Sequence, residues 1–309
     1  MAKKTKLEYA STNINQISKR ANVSLNVILF VVCVLAMIPV WLIIISSLTQ
    51  ERSLMVNGYR FWPQEFSIES YKFLFAKGSI VLTAYRNTVL STVFGTILCM
   101  ISVAMYAYPL SRSDFKGKSF FTFFSFFTML FNGGMVSFYV VCRQVLSIGN
   151  TLEALYLPLS FSAYWVIVMR TFYNTNVPES ILESARIDGA GEWRTYLKIV
   201  IPLSKPGLAT VALFAAVTLW NNFQNCMLLN DDSKWYNLQY TIYKLLNNIR
   251  FLKENAAQMG GSAAAAAANL PSETFRMAMA VVTVGPIVLA YPFFQQYFVK
   301  GLTIGAVKG

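Results

Sequence analysis

Apolar positions in this chain come in long, uninterrupted runs rather than alternating with polar ones. Charged residues stand at Arg20 and Glu51, Arg86 and Arg112, Lys118 and Arg143, Glu153 and Arg170, Lys205 and Asp231, and Arg276 and Lys300, and each interval between them is free of Asp, Glu, Lys and Arg. A helix needs about 20 mostly apolar residues to cross a bilayer. The six windows, rich in Leu, Ile, Val, Phe and Met, predict six membrane-spanning helices. The fourth is short, but Arg170 can snorkel to the interface and extend it. A further charge-free window, Asn255 to Ser272, is rejected as a span. It is mostly Ala, Gly, Ser and Asn, and its alanine run, Ala263 to Ala268, gains little on leaving water. It reads as a helical turn in an external loop. The run Val27–Ile45 is too long for a signal-peptide core and no cleavage site follows, so it reads as a retained anchor.

Composition agrees with a bilayer protein: 55% of the 309 residues are hydrophobic, 13% are charged, and Phe alone occurs 24 times. The formal charge of +12 sits beside apolar segments instead of forming one stripe. It therefore reads as membrane anchoring charge, with no nucleic-acid partner implied. Lys and Arg are in modest excess on the side that holds both termini, which places the termini in the cytoplasm. There is no His, and Cys33, Cys99, Cys142 and Cys226 lie far apart with no CxxC spacing. No metal site, disulfide framework or acid–base pair presents itself, so an enzyme is not expected and the cysteines read as packing residues.

The driving force must then come from elsewhere. The spans hold no ionisable residue of the kind that ion-coupled carriers use, although sodium can be bound by carbonyls and hydroxyls alone. No GxxxxGK[ST] phosphate loop is present. A transport protein with neither engine has to dock one. The segment between spans four and five, NVPESILESARIDGAGEWRTYLKIVIPLSKPG from Asn176, has the form of a docking element. Pro178 suits a helix start, Glu179 and Glu183 suit its positive end, and Gly189 suits its left-handed termination. The pattern predicts a short helix over Glu179–Asp188 and a second over about Glu192–Ile199, ended by Pro202.

Within this knob, Glu183-Ser184-Ala185, Asp188-Gly189-Ala190, Ile199 and Ile201-Pro202 resemble the EAA loop of ABC-importer permeases: E-A-A, three residues, G, nine residues, I, one residue, L-P. The spacing holds throughout, with Ser184 in place of the first Ala of the pair and Ile201 in place of Leu. The stretch from about Tyr71 to Ala306 resembles the binding-protein-dependent permease core. The ending Lys300–Gly309 is similar to the tail of the smaller permease of maltose-type carbohydrate importers. The stretches Ala107–Arg112, Phe131–Gly134 and Ser204–Ala209 are similar to a branch of that group linked to complex oligosaccharides.

That resemblance implies an all-α, six-span type I ABC importer permease in a bacterial cytoplasmic membrane. Residues 1–22 would be a cytoplasmic N-terminal segment and 23–309 the permease domain, with its core over about 71–300. The coupling loop would span 176–202 and the C-terminal tail 301–309. Glu183, Ser184, Ala185, Asp188, Gly189, Ile199 and Pro202 would meet a partner ATPase. Gly301, Leu302, Thr303, Lys308 and Gly309 would reach into the ATPase dimer. The implied partners are a second, different permease, two ATPase copies that bind the ATP and Mg, and an extracellular binding protein that delivers a carbohydrate. No cofactor is implied for this chain itself.

Two readings of the substrate contacts stay open. Trp220, Asn221, Asn222, Gln224 and Asn225 form a polar, aromatic cluster within the fifth apolar run, and Tyr164 with Trp165 lies in the fourth. These residues either join helices by hydrogen bonds or line a sugar path. Aromatics of the last external loop, Trp235, Tyr236, Tyr240 and Tyr243, either anchor at the interface or meet a partner or sugar. An importer of non-sugar solutes shares the EAA pattern, and a self-contained carrier is the remaining alternative.

Overall fold

A computed structural model of the chain describes residues 18–76, 80–255 and 273–306. The described residues are helical throughout and contain no strand, only an isolated antiparallel bridge between Thr49 and Phe66. They fall into two units, 18–70 with 273–281, and 71–76 and 80–255 with 282–306.

In the first unit, α1 (Lys19–Ser47) starts at Ser18, whose hydroxyl accepts from the Ala21 amide at 3.2 Å. The helix continues through Pro39, and almost all of its apolar surface is exposed. That is the expected condition of a span whose solvent is lipid. Trp41 fastens the following segment: its indole donates to the Phe61 carbonyl at 3.1 Å and meets Trp62 edge-on at 5.7 Å. The short α2 (Glu51–Asn57) supplies Glu51, whose carboxylate accepts from the amides of Glu273 at 3.1 Å and Thr274 at 2.9 Å. These are donors at the start of the last helix, α15 below, that have no partner within it.

The second unit is built around α4 (Ile80–Ser111), which follows α3 (Glu69–Leu74). The buried positions of α4 include Ala84, Thr88, Ser91, Gly95, Cys99, Val103 and Ala107, a stripe of mostly small side chains repeating every three or four residues. Small residues let neighbouring helices come close. Two helices pack along α4: α8 (Ala163–Asn176) and α12 (Lys205–Asn221). At Gly95 the approach is so tight that an added Cβ would lie 2.7 Å from the Leu219 Cδ1 and 2.8 Å from the Tyr156 Cβ.

The remaining apolar runs are broken helices. α5 (Lys118–Leu130) turns by 112° into α6 (Gly134–Val140), which runs on through a π-turn at Val141–Val145. The turn uses Gly134 at φ +80°, its amide held by the Asn132 side chain at 2.8 Å. α7 (Glu153–Tyr156), extended by a 3₁₀ turn to Leu159, meets α8 at 49°. α9 (Glu179–Ile187) is followed by α10 (Glu192–Thr195), a π-turn at Tyr196–Val200 and α11 (Ile201–Leu203), and this last series enters α12 at 77°. Beyond α12 come α13 (Gln224–Leu229), α14 (Leu238–Glu254) and α15 (Glu273–Ala306).

Among the described residues, α1 and α4 are long and apolar enough to cross a membrane, and up to five spans result if each bent pair counts as one. The sixth window, Arg276 to Lys300, falls within the 34-residue α15. Two windows that read as simple spans, the third and the fourth, are thus bent, at Gly133-Gly134 and after Pro158, and the third bend, at Ser204, falls just before the fifth window. Two further expectations change. Pro202 does not end the second helix of the knob, which continues to Leu203; the wide π-turn just before it shifts the carbonyl ladder away from the proline ring. The stretch after Leu229, read as loop, contains the 17-residue α14. Its helix buries Leu238, Thr241 and Ile249 along one face, a polar-faced pattern that a search for fully apolar runs passes over. The alanine run Ala263–Ala268 lies outside the described residues.

Replacing Gly95 by Ala forces α4 from α12 and costs about 1–3 kcal/mol. The expected result is a lower melting temperature of the detergent-solubilised protein, while the same change at Gly285, inside α15 with open space around it, does not lower it.

Candidate functional site

α9 begins after Pro178 with Glu179 in its first turn and buries Leu182 and Ala185. Leu182 joins a core with Leu110, Tyr173, Val177, Tyr196 and Val200, which fixes the knob to the ends of α4 and α8. Glu183 and Ser184 point away from that core and are exposed, as are Asp188 and Gly189. The helix ends in a Schellman motif: the Ala190 amide donates to the Ala185 carbonyl at 2.9 Å and the Gly189 amide to the Arg186 carbonyl at 3.0 Å. Gly189 at φ +75° supplies the left-handed residue this motif needs. Ile199 is half-buried in the π-turn and Pro202 is exposed just beyond it. The EAA-spaced residues therefore form an outward edge, Glu183, Ser184, Asp188, Gly189 and Pro202, backed by Ala185 and Ile199.

Beside this edge lies a group of charges that the sequence reading did not assemble. Arg186 pairs with Asp114 and, at 2.9 Å, with Glu192. Asp114 also meets Arg112 at 3.3 Å, and the Tyr108 hydroxyl donates to Glu192 at 3.0 Å. Four segments are joined: the end of α4, the loop before α5, α9 and α10. The Arg186 guanidinium holds both the Asp114 and the Glu192 carboxyls below their ordinary range, and the two carboxylates, Asp114 first, raise Arg186 in return. The one available signal was an acid, Asp114, placed within an otherwise basic segment between spans. These groups line a cleft of about 530 Å³ together with Met105, Phe115 and Trp193. Trp193, which lines the cleft, is 64% exposed, and on the same knob Ile187 at 87% and Leu197 at 58% are exposed as well. Exposed apolar side chains on the same knob as a neutralised charge cluster make a surface suited to another protein.

The polar cluster of the fifth run is split by the structure. Trp220 is buried and its indole donates to the Thr283 carbonyl on α15 at 3.0 Å. Asn222 stands at the break after α12; its side chain reaches the Leu155 carbonyl at 3.5 Å and accepts from the Asn225 amide at 3.2 Å. Asn225 is buried, whereas Asn221 and Gln224 are exposed. Tyr164 is exposed, while Trp165 stacks on Phe214 at 5.1 Å. Hydrogen bonding between helices thus employs Trp220 and Asn222, and open surface remains at Asn221, Gln224 and Tyr164. In the tail, Gly301, Leu302 and Thr303 continue the α15 backbone; Lys308 and Gly309 lie outside the described residues.

Comparison with known proteins follows the same lines. Residues 9–304 match the family described as "Binding-protein-dependent transport system inner membrane component". The polygalacturonan/rhamnogalacturonan transport system permease protein YtcP of Bacillus subtilis (strain 168) is 35% identical over 279 residues, covering 90% of this chain and 93% of that protein. The melibiose/raffinose/stachyose import permease protein MelC of the same organism is 28% identical, covering 88% of this chain and 91% of its own length. A chain from the crystal structure of a bacterial ABC transporter involved in the import of the acidic polysaccharide alginate superposes with a TM-score of 0.76 at 27% identity, covering 90% of this chain and 96% of that one. The all-helical fold is that of a type I ABC importer permease, a membrane component and not an enzyme. This chain belongs to the family of binding-protein-dependent transport system inner membrane components.

Proposed function

We propose that this chain is the six-span permease subunit of an ATP-driven carbohydrate importer and that α9 with its Schellman turn is the coupling element for a separate ATPase. The observation that carries the coupling role is the exposed Glu183–Gly189 edge, held at EAA spacing on a knob locked to the ends of α4 and α8. The relatives' names support carbohydrate: one names polygalacturonan and rhamnogalacturonan, and the solved structure's names the acidic polysaccharide alginate. In this reading both termini face the cytoplasm. The α15 tail reaches the ATPase, where ATP and Mg are bound, and a second permease and a binding protein complete the path.

Closure of two ATPase subunits draws the coupling elements together. The Arg186–Asp114–Glu192 cluster and the Leu182 contact transmit that movement to α4 and α8 without slack. Alternation between outward- and inward-open states then needs only that sugar and ATP bind the two states with different affinity.

Three outcomes test this reading. Purification of the tagged chain from its native membranes is expected to recover a second permease and two ATPase copies; recovery of this chain alone, still transporting in liposomes without ATP, would overturn it. Gly189→Val strains a left-handed position by about 1–2 kcal/mol, a population change of roughly tenfold. The variant should assemble yet hydrolyse ATP without matching sugar uptake, as should Glu183→Ala; normal uptake by both would remove the coupling assignment.

The pH dependence has a defined sign. Asp114 and Glu192 have lowered folded-state pKa values, so their contribution is fully present above the ordinary carboxylate range, about pH 4, and is lost as pH falls through the lowered values. Hydrogen-exchange protection in α9 and α10, taken relative to the intrinsic exchange rate at each pH, should therefore stay constant from pH 7 to about pH 5 and fall only below about pH 4. In Arg186→Gln the fall should begin at higher pH.

A further inference from the structure

Phe223 occupies the break between α12 and α13 and is 41% exposed, and Tyr243 on α14 is 48% exposed. Their ring centroids lie 5.8 Å apart at 33°. Tyr243 lies 6.5 Å from Tyr240 at 20°, and Tyr240 meets Tyr236 edge-on at 4.9 Å. Lys244 closes the row: its Nζ stands 4.8 Å from the Tyr236 ring centroid and 5.7 Å from that of Tyr240, and donates to the Tyr236 hydroxyl at 3.1 Å. The result is a continuous band of rings with an ammonium at one end.

Charge around this band is otherwise accounted for. Asp231 pairs with Arg143 at 2.7 Å, Asp232 accepts from the Lys234 amide at 2.9 Å, and the Lys234 ammonium lies over Trp235 at 5.0 Å. Among the described residues, no carboxylate lies within ion-pair distance of Lys244. A cation held only by ring faces and a phenol is positioned without being neutralised, so its charge remains for a ligand. The exposed ring faces of Phe223 and Tyr243 match the C–H face of a pyranose. Asn221 and Gln224, close to Phe223 in sequence, are exposed; the Asn221 amide donates to the Val217 carbonyl at 2.9 Å and keeps its oxygen for a hydroxyl group. A neutral sugar would use the rings and amides and leave the ammonium idle.

We propose that Phe223, Tyr240, Tyr243 and Lys244 form a subsite for an acidic oligosaccharide, the rings stacking on pyranose faces and the Lys244 Nζ pairing with a uronate carboxylate. The subsite rests on the carbohydrate-importer reading above and narrows it to one substrate class.

The test uses the importer purified as the whole complex, placed in liposomes with ATP and its binding protein. The probes are a set of uronate trimers, including trigalacturonate, their methyl esters, which keep the ring and remove the charge, and neutral trisaccharides. Wild type is expected to take up a uronate trimer in preference to its ester. Lys244→Gln should lower uptake of the acid about tenfold, the loss of one charged contact, and leave the ester unchanged. Tyr243→Ala should lower both, and Tyr243→Phe should restore both. Unaltered elution of the variant complexes separates these effects from misassembly. Equal loss of acid and ester in Lys244→Gln, or no loss, overturns the subsite. So does an effect of Lys244 that follows the anionic lipid content of the liposome instead of the charge on the sugar. Uptake of neutral trisaccharides with none of the uronate trimers overturns the subsite and leaves the importer reading standing. Absence of ATP-driven uptake of any sugar is the separate failure of that reading.

Discussion

In hydrocarbon a peptide group without a partner has no water to turn to, at a cost of several kcal/mol, and the second unit is arranged around that constraint. A bend in a helix frees carbonyls and amides, and at several of the breaks side chains meet them. Ser102 donates to the Ser160 carbonyl at 2.6 Å, and Ser160 donates to the Tyr156 carbonyl at 2.8 Å, at the break between α7 and α8. At the break after α12, Asn237 donates to the Asn222 carbonyl and its own carbonyl oxygen on the side chain caps α14 at the Tyr240 amide. Asn87 on α4 donates to the carbonyls of Lys234 at 2.8 Å and Tyr236 at 3.0 Å. The amides that look anomalous in an apolar run are the means by which that run can bend.

Those bends also decide where movement can pass. α4 is continuous for 32 residues and is flanked by helices that are not. Its small-residue stripe brings α8 and α12 into close contact, and its end carries Tyr108 and Arg112 into the charge cluster beside α9. A displacement of the knob therefore meets a stiff rod first and jointed helices second, a division that suits alternation between two bundle arrangements.

Much of this was legible in the sequence, for identifiable reasons. Charge-free runs mark helices, because lipid tolerates few ionised side chains. The EAA spacing marks the knob, because a Schellman turn requires its glycine at a fixed distance from the residues it presents. The breaks were not legible: Pro158 and Gly134 interrupt runs whose mean composition stays apolar, and the π-turn before Pro202 has no signature in residue type. The Arg186–Asp114–Glu192 cluster joins residues up to 78 positions apart on three elements, so only the packing of α4 against α9 and α10 brings it into being. Likewise α14 stayed hidden because half of it faces away from the core and lowers its average hydropathy.

The exposed apolar side chains of the knob, Ile187, Trp193 and Leu197, bear on the life of the chain in the cell. A subunit inserted without its companions presents an oily face to the surrounding water. Chaperones and quality-control proteases recognise faces of that kind, and docking of the proper companion hides it. If the proposed ATPase covers these side chains, an unassembled copy is marked by the same surface that completes assembly, and the patch would serve inventory control as well.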